Sequence, residues 1–186
     1  MRWLALTIVL VFAAGCGGGE TARKRDRKPG GDRVLGRAGD GDSRGGTSAA
    51  SGRCRDLLPL IRKAADEEGV DAALMVGLVR AESNFRNDAR SPMGALGLTQ
   101  CLRSTARAKK CGDLSDEQEN LRCGARVLAA FLKHYGGNLY LGLSGYNAGH
   151  SMPNKARDAA ELPANVQYVE DVLWGRARFR TRGCDF

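Results

Sequence analysis

The chain has 186 residues, of which 42% are hydrophobic, 27% charged and 6% aromatic, and its net charge is +8. This length is short for two domains, and the composition is that of a globular, mostly helical protein rather than a fibrous or disordered one. The positive charge favours an anionic partner such as nucleic acid, a membrane surface or an acidic polymer, but a solvated basic surface explains it equally well. Charge alone therefore selects no function.

The N-terminus has the pattern of an export signal. A short positive start precedes a nearly unbroken apolar run of 12 residues, 3–14. That run is too short to span a bilayer and is typical of a secretory signal peptide. Residues 13–16, Ala-Ala-Gly-Cys, resemble a bacterial lipobox, although Ala13 stands where leucine is usual. We therefore predict a signal peptide over 1–16 with lipidation of Cys16; the alternative is ordinary signal-peptidase cleavage near residues 13–14.

Residues 17–52 have the composition of a linker. Glycine, serine and charged residues dominate, and Val34 and Leu35 are the only large apolar side chains. Such a segment cannot bury enough apolar surface to offset the entropy lost on ordering. We predict a flexible tether, whose basic cluster at 23–28 either contacts anionic lipid or polymer or is simply solvated.

The remaining residues, 53–186, have the periodicity of a helical domain. The first predicted helix covers 55–68, and the second runs from an N-cap at Asp71 to about Ser83. Further helices are predicted at 117–135, 138–144, 155–162 and 165–178. Because no alternating strand pattern persists, we expect an all-α fold in one compact domain of roughly 130 residues, a size that can bury a core.

Six cysteines in an exported chain favour disulfides. Cys54 and Cys184 bracket the domain, so a bridge between them would join its two ends. If Cys16 is lipidated, three others remain, and one of them stays unpaired or pairs elsewhere. We favour Cys111–Cys123, although spacing does not determine the pairing. No metal is expected, because no C-x-x-C or H-x-x-x-H spacing supports a zinc site.

Glu82 is the candidate catalytic residue. Its predicted helix is apolar nearly all round, which indicates a central position, and Glu82 shares a face with Met75 and Val79. Desolvation on that face should raise the pKa of the carboxyl, as a general acid requires. The alternative is a glutamate at a frayed helix end that reaches into water.

A series of short motifs follows in a fixed order. They are Glu82-Ser83-x-Phe85, Ser91 with Gly94-Ala95-Leu96-Gly97-Leu98-Thr99-Gln100, Thr105-Ala106, Asn120 with Gly124, Tyr146-Asn147-Ala148-Gly149, and Tyr168-Val169. The series resembles the lytic transglycosylase family of the lysozyme-like superfamily, whose pattern is E-S-x-F, S-x-x-G-A-x-G-L-M-Q, P-x-T-A, N-x-x-x-G, Y-N-A-G and Y-V. Any one piece is common, but six in order over 57–173 favour membership.

The resemblance implies a peptidoglycan lytic transglycosylase. Glu82 would protonate the glycosidic oxygen between N-acetylmuramic acid and N-acetylglucosamine and then act as a base. The muramoyl 6-hydroxyl, rather than water, would attack and leave a 1,6-anhydro end. Most glycosidases use two carboxylates, but apart from Asp88 no second one follows Glu82 in the adjoining loop, so the substrate's own acetamido group is expected to assist. Neither metal nor cofactor is implied.

The same resemblance implies substrate-binding roles for five residues. Ser91 is expected near the reactive sugar, Gln100 along the cleft, and Tyr146 and Asn147 on its opposing wall. Tyr168 should place its hydroxyl near the catalytic carboxyl. Simple core packing is the alternative for Tyr168, and a turn former is the alternative for Asn147.

The glycines of the Gly-rich motif and two departures from the family pattern carry further expectations. Gly94 and Gly97 should adopt positive φ and allow close approach of the saccharide. Thr99 replaces a methionine expected to floor the glycan groove. Residues 101–103, Cys-Leu-Arg, replace an apolar pair and the proline of P-x-T-A, which predicts a reshaped or disulfide-tethered loop.

Three arginines surround the motif, namely Arg80, Arg86 and Arg90. A guanidinium beside Glu82 would lower the carboxyl pKa and oppose its role as an acid. We therefore predict that the three arginines point away or bind carboxylates of the peptide stem; a solvated basic surface is the alternative.

The predicted protein is a periplasmic lipoprotein, anchored in the outer membrane through Cys16, that acts on peptidoglycan glycan strands. It is expected to be a monomer with no nucleic-acid partner. Two other functions stay open. One is a goose-type muramidase, with the same fold and glutamate but with water as the acceptor, and the other is a catalytically silent glycan-binding lipoprotein.

Overall fold

The computed structural model describes residues 44–186, and in that range it contains seven helices and one short hairpin. The elements are α1 (Arg44–Glu68), α2 (Ala72–Ser83), β1 (Ala95–Leu96), β2 (Cys101–Leu102), α3 (Arg103–Ala108), α4 (Glu117–His134), α5 (Leu139–Ala148), α6 (Ser151–Ala159) and α7 (Val166–Arg182). The predicted all-α class is confirmed. The predicted signal peptide, Cys16 and most of the predicted tether lie outside the described residues.

Helix α1 begins at Arg44, well before the predicted start at residue 55. Its first turns therefore fall within the segment predicted to be a tether. Ala50 and Ser51 are buried, and the Ser51 hydroxyl accepts a hydrogen bond from the backbone N–H of Phe186 at 3.3 Å. This part of the helix is stabilised by contact with the distant end of the chain rather than by its own composition.

Helix α2 lies at the centre of the domain. Its N-cap is Asp71, as predicted, and the Asp71 carboxylate accepts a hydrogen bond from the N–H of Leu74 at 2.8 Å. The helix ends where Asn84 adopts a left-handed conformation with φ of 50°. Every residue from Ala73 to Val79 is buried, which is the environment predicted from its apolar surface.

Helices α2 and α7 cross with their backbones in contact. Gly77 of α2 lies against the carbonyl of Val172 and the N–H of Arg176. A Cβ atom added to Gly175 of α7 would lie 2.9 Å from the Gly77 Cα. Two glycines therefore set the separation of these helices, because any side chain at either position would force them apart.

The hairpin and the six-residue helix α3 are the elements that the sequence did not predict. Ala95 pairs with Leu102 and Leu96 with Cys101, in antiparallel register. Strands of two residues are too short to show an alternating pattern. The turn between them uses positive φ angles at Gly97 and at the non-glycine residue Gln100, which are 73° and 48°.

The later helices lie near their predicted positions, with shifted ends. Helix α6 covers Ser151–Ala159 rather than 155–162, and α7 continues to Arg182 rather than ending at 178. Pro153 lies in the first turn of α6, where a missing N–H costs no intrahelical hydrogen bond. Within residues 44–186, no helix has both the length and the hydropathy needed to cross a membrane.

The structure forms the two disulfides that we favoured from the sequence, Cys54–Cys184 and Cys111–Cys123. Cys101 is buried and has no disulfide partner within the described part of the chain. Its sulfur lies 3.5 Å from that of Cys123. The hairpin is therefore packed against the second disulfide but is not covalently tethered through Cys101. Separately, residues 44–186 contain no cluster of side chains suited to a metal ion.

Candidate active site

Glu82 lies in the last turn of α2, and Tyr168 lies in the first turn of α7. The Tyr168 hydroxyl donates a hydrogen bond of 2.6 Å to Oε1 of Glu82. Both side chains are half-buried. The contact joins residues 86 positions apart in the sequence, so the central helix pair brings together the predicted catalytic carboxyl and the tyrosine expected beside it.

Burial raises the pKa of Glu82 to about 7, while the hydrogen bond from Tyr168 acts in the opposite direction. Near neutral pH the carboxyl is therefore divided between its protonated and ionised forms. A group with this pKa can both donate and accept a proton at physiological pH. This distinguishes Glu82 from a glutamate at a frayed helix end, whose pKa would be that of a solvated carboxyl.

The three nearby arginines form no ion pair with Glu82 in the described residues. The guanidinium of Arg80 lies over the ring of Trp174, 4.3 Å from the ring centroid. Arg86 donates through Nε to the carbonyl of Ser83 at 3.1 Å. No guanidinium contributes to the pKa of Glu82, and binding of stem carboxylates by these arginines stays a prediction.

The end of α2 is tied to the Gly-rich loop. The buried Ser83 hydroxyl donates to the carbonyls of Val79 and Leu98. Gly94 and Gly97 both adopt the predicted positive φ. Ser91 accepts a hydrogen bond from the N–H of Ala95 at 3.0 Å, so its hydroxyl oxygen closes the turn before the hairpin.

The side-chain amide nitrogen of Gln100 forms hydrogen bonds within the Gly-rich loop. Nε2 donates to the carbonyls of Ala89 at 3.1 Å and Gly97 at 2.9 Å. These bonds hold the two sides of the loop together across 11 residues. Gln100, expected along the cleft, therefore also braces the backbone that forms it.

Thr99, which stands where the family pattern has methionine, points into the domain. Its side chain is fully buried and its hydroxyl donates to Oδ1 of Asn120 at 2.8 Å. A Cβ atom on Gly124 would lie 2.5 Å from Thr99. The side chain thus points into the domain, where its hydroxyl and small size fit a tight space between the loop and α4.

Asn120 is the centre of a buried polar network that the sequence reasoning missed. Its amide nitrogen donates to the carbonyls of Leu96 and Leu114 at 3.0 and 2.9 Å, and its Oδ1 also accepts from the Thr99 N–H. The N-x-x-x-G motif marked the position but not this role. Asn120 satisfies backbone groups of the hairpin and of the segment just before α4, and so holds the hairpin loop on α4.

Tyr146 and Asn147 follow each other at the end of α5 but point to different partners. The Tyr146 hydroxyl donates to the carbonyl of Thr99 at 2.7 Å. Burial and then the charge of Glu82 raise the Tyr146 pKa well above its usual value. Asn147 is exposed and accepts from Nδ2 of Asn165 at 2.9 Å.

Asn165 is a further residue that the motif series did not include. Its Oδ1 accepts a 2.7 Å hydrogen bond from the hydroxyl of Ser144, and its amide nitrogen reaches Asn147. It therefore links α5 to the start of α7. No sequence signal beyond its position just before the Tyr168-Val169 pair identified it.

Substitution of Asn120 by alanine is expected to destabilise the domain by about 3 kcal/mol, because it leaves several buried backbone and hydroxyl groups without partners. Urea unfolding followed by circular dichroism measures the change. Asn138→Ala, which removes an exposed N-cap bond to the Leu141 N–H, is the control and should cost only about 1 kcal/mol. Equal losses in the two variants would contradict the bracing role of Asn120.

Comparisons with known proteins converge on one group. The family described as "Transglycosylase SLT domain" matches residues 59–166. Membrane-bound lytic murein transglycosylase F of Desulfosudis oleivorans is 32% identical over 143 residues, covering 64% of this chain and 32% of that protein. Membrane-bound lytic murein transglycosylase C of Haemophilus influenzae is 46% identical over 54 residues, 29% of this chain and 15% of that protein. The chain thus spans a third or less of the length of these two relatives.

Two solved structures share the fold. An inactive mutant of the lytic transglycosylase Slt from Pseudomonas aeruginosa superposes with a TM-score of 0.58 at 25% identity, covering 69% of this chain and 24% of that one. The 70 kDa soluble lytic transglycosylase of Escherichia coli superposes with a TM-score of 0.61 at 21% identity, covering 69% of this chain and 25% of that one. The second supports the fold alone.

Proposed function

The chain belongs to the transglycosylase SLT domain family, and on that premise we propose that it cleaves the β-1,4 bond between N-acetylmuramic acid and N-acetylglucosamine in peptidoglycan without using water. The observation that carries the proposal is the half-buried Glu82 carboxyl, with a pKa raised to about 7 and a 2.6 Å hydrogen bond from Tyr168. This is the environment that a single acid and base needs.

In the proposed reaction, protonated Glu82 donates its proton to the glycosidic oxygen as the bond from that oxygen to the muramoyl C1 breaks. The acetamido oxygen of the same sugar would stabilise the positive charge that develops at C1. The resulting Glu82 carboxylate then takes the proton of the 6-hydroxyl while O6 bonds to C1. The product is a 1,6-anhydro end, and Glu82 regains its proton.

The role proposed for Tyr168 is to orient the carboxyl and to hold its pKa near neutrality. Among the described residues, no other carboxylate contributes to the pKa of Glu82, which supports the substrate-assisted route over a two-carboxylate mechanism. Asp88 is exposed and forms no hydrogen bond with Glu82 within residues 44–186. Ser91, Gln100, Tyr146 and Asn147 stay candidate substrate-binding residues on the loops around Glu82.

Mass analysis of muropeptides released from purified sacculi tests the proposal. We expect 1,6-anhydro ends. Reducing muramic acid ends would identify a hydrolase of the goose type instead, and binding without release would identify a silent glycan-binding protein. Either result would overturn the proposed reaction.

The cellular setting that we propose is periplasmic. The signal peptide over 1–16, lipidation of Cys16 and the flexible tether would place the enzyme on the outer membrane within reach of the cell wall. Both named relatives are called membrane-bound, which supports this location. The catalytic domain would begin with α1 at Arg44 rather than at residue 53, and it would act on glycan strands as a monomer.

Replacing Tyr168 with phenylalanine is expected to shift the pH dependence of cleavage upward. The tyrosine hydrogen bond lowers the pKa of Glu82, so its loss should raise that pKa further above 7. Because a general acid is lost as pH rises through its pKa, the alkaline limb of the rate profile should move to higher pH. Rates of anhydromuropeptide release from pH 5 to 9 measure the shift, and an unchanged limb with a lower rate would mean that Tyr168 only packs.

A further inference from the structure

A cavity of about 690 Å³ lies beside the hairpin loop, between residues 87–90, the hairpin, α3 and residues 111–115. Small-molecule sites in proteins commonly have volumes of about 300–1,000 Å³. Neither Glu82 nor Tyr168 nor Tyr146 lines it. The cavity is therefore separate from the candidate catalytic centre.

Three arginines line this cavity, namely Arg90, Arg103 and Arg107. All three are exposed, and none forms an ion pair or a side-chain hydrogen bond within residues 44–186. Arg103 and Arg107 are four residues apart on α3 and so lie on one helix face. Arg103 also occupies the proline position of the family pattern, so its positive charge is a departure from that pattern.

Two carboxylates line the same cavity, Asp88 and Asp113. Asp113 accepts a 2.9 Å hydrogen bond from the N–H of Ser115, and that bond lowers the pKa of Asp113, with the charge of Arg103 adding to the effect. The carboxylate is therefore ionised at neutral pH. The lining carries positive and negative groups together, a pattern suited to a ligand with both carboxylates and an ammonium group.

The walls of the cavity are held in place before any ligand arrives. The Asn87 side-chain amide donates to the carbonyl of Ser115 at 3.0 Å and joins two of the walls. Cys111 lines the cavity, and its disulfide to Cys123 attaches the 111–115 segment to α4. A preformed site binds with less loss of conformational entropy than a mobile one.

The cavity shares a wall with the candidate glycan site. Ala89 and Gly97 line the cavity, and their carbonyls accept the hydrogen bonds from the Gln100 amide. Arg90 also directly precedes Ser91, which is expected near the reactive sugar. The cavity and the loop that carries the candidate glycan-binding residues Ser91 and Gln100 therefore share backbone.

We propose that this cavity binds the peptide stem of peptidoglycan, with the arginines holding its carboxylates and the aspartates its free amino group. This inference rests on the proposed function, because the stem is attached to the muramic acid at which the chain would cut. Guanidinium groups bind carboxylates bidentately. The two aspartates disfavour a polyanion such as a phosphate polymer, since they would repel it.

Calorimetric titration of the full chain with a soluble stem tetrapeptide tests the cavity directly. The Arg103→Glu/Arg107→Glu variant should bind at least about tenfold more weakly, the effect of losing charge-assisted hydrogen bonds. The Arg62→Glu/Lys63→Glu variant is the matched control, because it makes the same charge change at exposed positions of α1, and it should bind normally. A peptide with amidated carboxyl groups should bind weakly to all three proteins.

Unchanged affinity in Arg103→Glu/Arg107→Glu would overturn the proposal, and so would displacement of the peptide by an equal concentration of inorganic phosphate. A second measurement compares cleavage of stem-bearing glycan with cleavage of glycan stripped of its peptides. The Arg103→Glu/Arg107→Glu variant should lose kcat/KM only on the stem-bearing strands. Equal losses on stem-bearing and stripped strands would also overturn the proposal that the cavity binds the stem. If the wild type cleaves neither glycan, the proposed function fails, while the titration still decides whether the cavity binds the stem.

Discussion

Replacement of Glu82 by glutamine is expected to abolish release of glycan fragments from purified sacculi while binding to the sacculi persists. Glutamine keeps the size of the side chain and can still accept the Tyr168 hydrogen bond, but it has no proton to donate to the glycosidic oxygen. General acid and base catalysis contributes about 10²–10⁴-fold to enzyme rates. Because the proposed mechanism gives both roles to one residue, the upper end of that range is expected.

Chromatography of released muropeptides measures the loss, and sedimentation with sacculi measures binding. Glu170→Gln is the control, because Glu170 is exposed on the same helix as Tyr168 and has no role in the proposed site. It should release fragments at the normal rate. Release by Glu82→Gln at more than a few per cent of that rate would disprove the mechanism.

The same substitution should change stability in a pH-dependent way. The pKa of Glu82 is about 7 in the folded protein against an ordinary value of 4.5, so the folded state binds the proton more tightly than the unfolded chain. The free energy of unfolding therefore falls as pH rises from about 4.5 to 7 and stays lower above that range. Glutamine does not ionise, so Glu82→Gln should be more stable than wild type by up to about 3 kcal/mol at pH 8.

Urea unfolding at pH 4 and pH 8 measures this difference, with equal stabilities expected at pH 4. An activity loss without the gain in stability at pH 8 would mean that the carboxyl is not desolvated. The catalytic role and the burial of Glu82 are thus tested separately by one variant.

Removing the Cys54–Cys184 disulfide should cause the largest loss of stability. The two cysteines are 130 positions apart, and a loop of that length implies about 5 kcal/mol of chain-entropy stabilisation. The Cys54→Ala/Cys184→Ala variant should also lose the order of the first turns of α1, because the bridge holds that helix beside the end of the chain.

Thermal and urea unfolding measure the loss, and hydrogen exchange of the α1 amides measures the fraying. The second disulfide provides the comparison, since Cys111 and Cys123 are only 12 positions apart and their removal should cost about 3 kcal/mol in the same treatment. A larger loss from the short-range pair would contradict the entropic argument.

Local chemistry was enough to predict the central helix. Asp71 is a good N-cap, and the apolar surface of α2 indicates burial. The bounds of α4 and the glycine conformations in the loop were also predictable from local signals. The partner of Glu82, by contrast, lies 86 residues away, and only the resemblance to a family indicated Tyr168.

The features that were missed depend on tertiary contacts. The start of α1 has a Gly- and Ser-rich sequence with weak helix propensity, and it is stabilised by its contacts with the C-terminal end of the chain. The motif gave the position of Thr99 but not the direction of its side chain. Its direction depends on Asn120 and Gly124, which lie on α4 and are not its neighbours in the sequence.

The contact between Gly77 and Gly175 is the crossing point of the two helices that carry Glu82 and Tyr168. Glu82 lies five residues beyond Gly77, and Tyr168 lies seven residues before Gly175. At a rise of 1.5 Å per residue, they are about 7 and 10 Å from the glycine contact along their helix axes. A change of ten degrees in the angle between the helices would move Glu82 and Tyr168 by roughly 1–2 Å. That is enough to break the 2.6 Å hydrogen bond between them. The missing side chains at Gly77 and Gly175 thus help to set the hydrogen-bond distance between Tyr168 and Glu82, although both glycines lie more than one helical turn away from it.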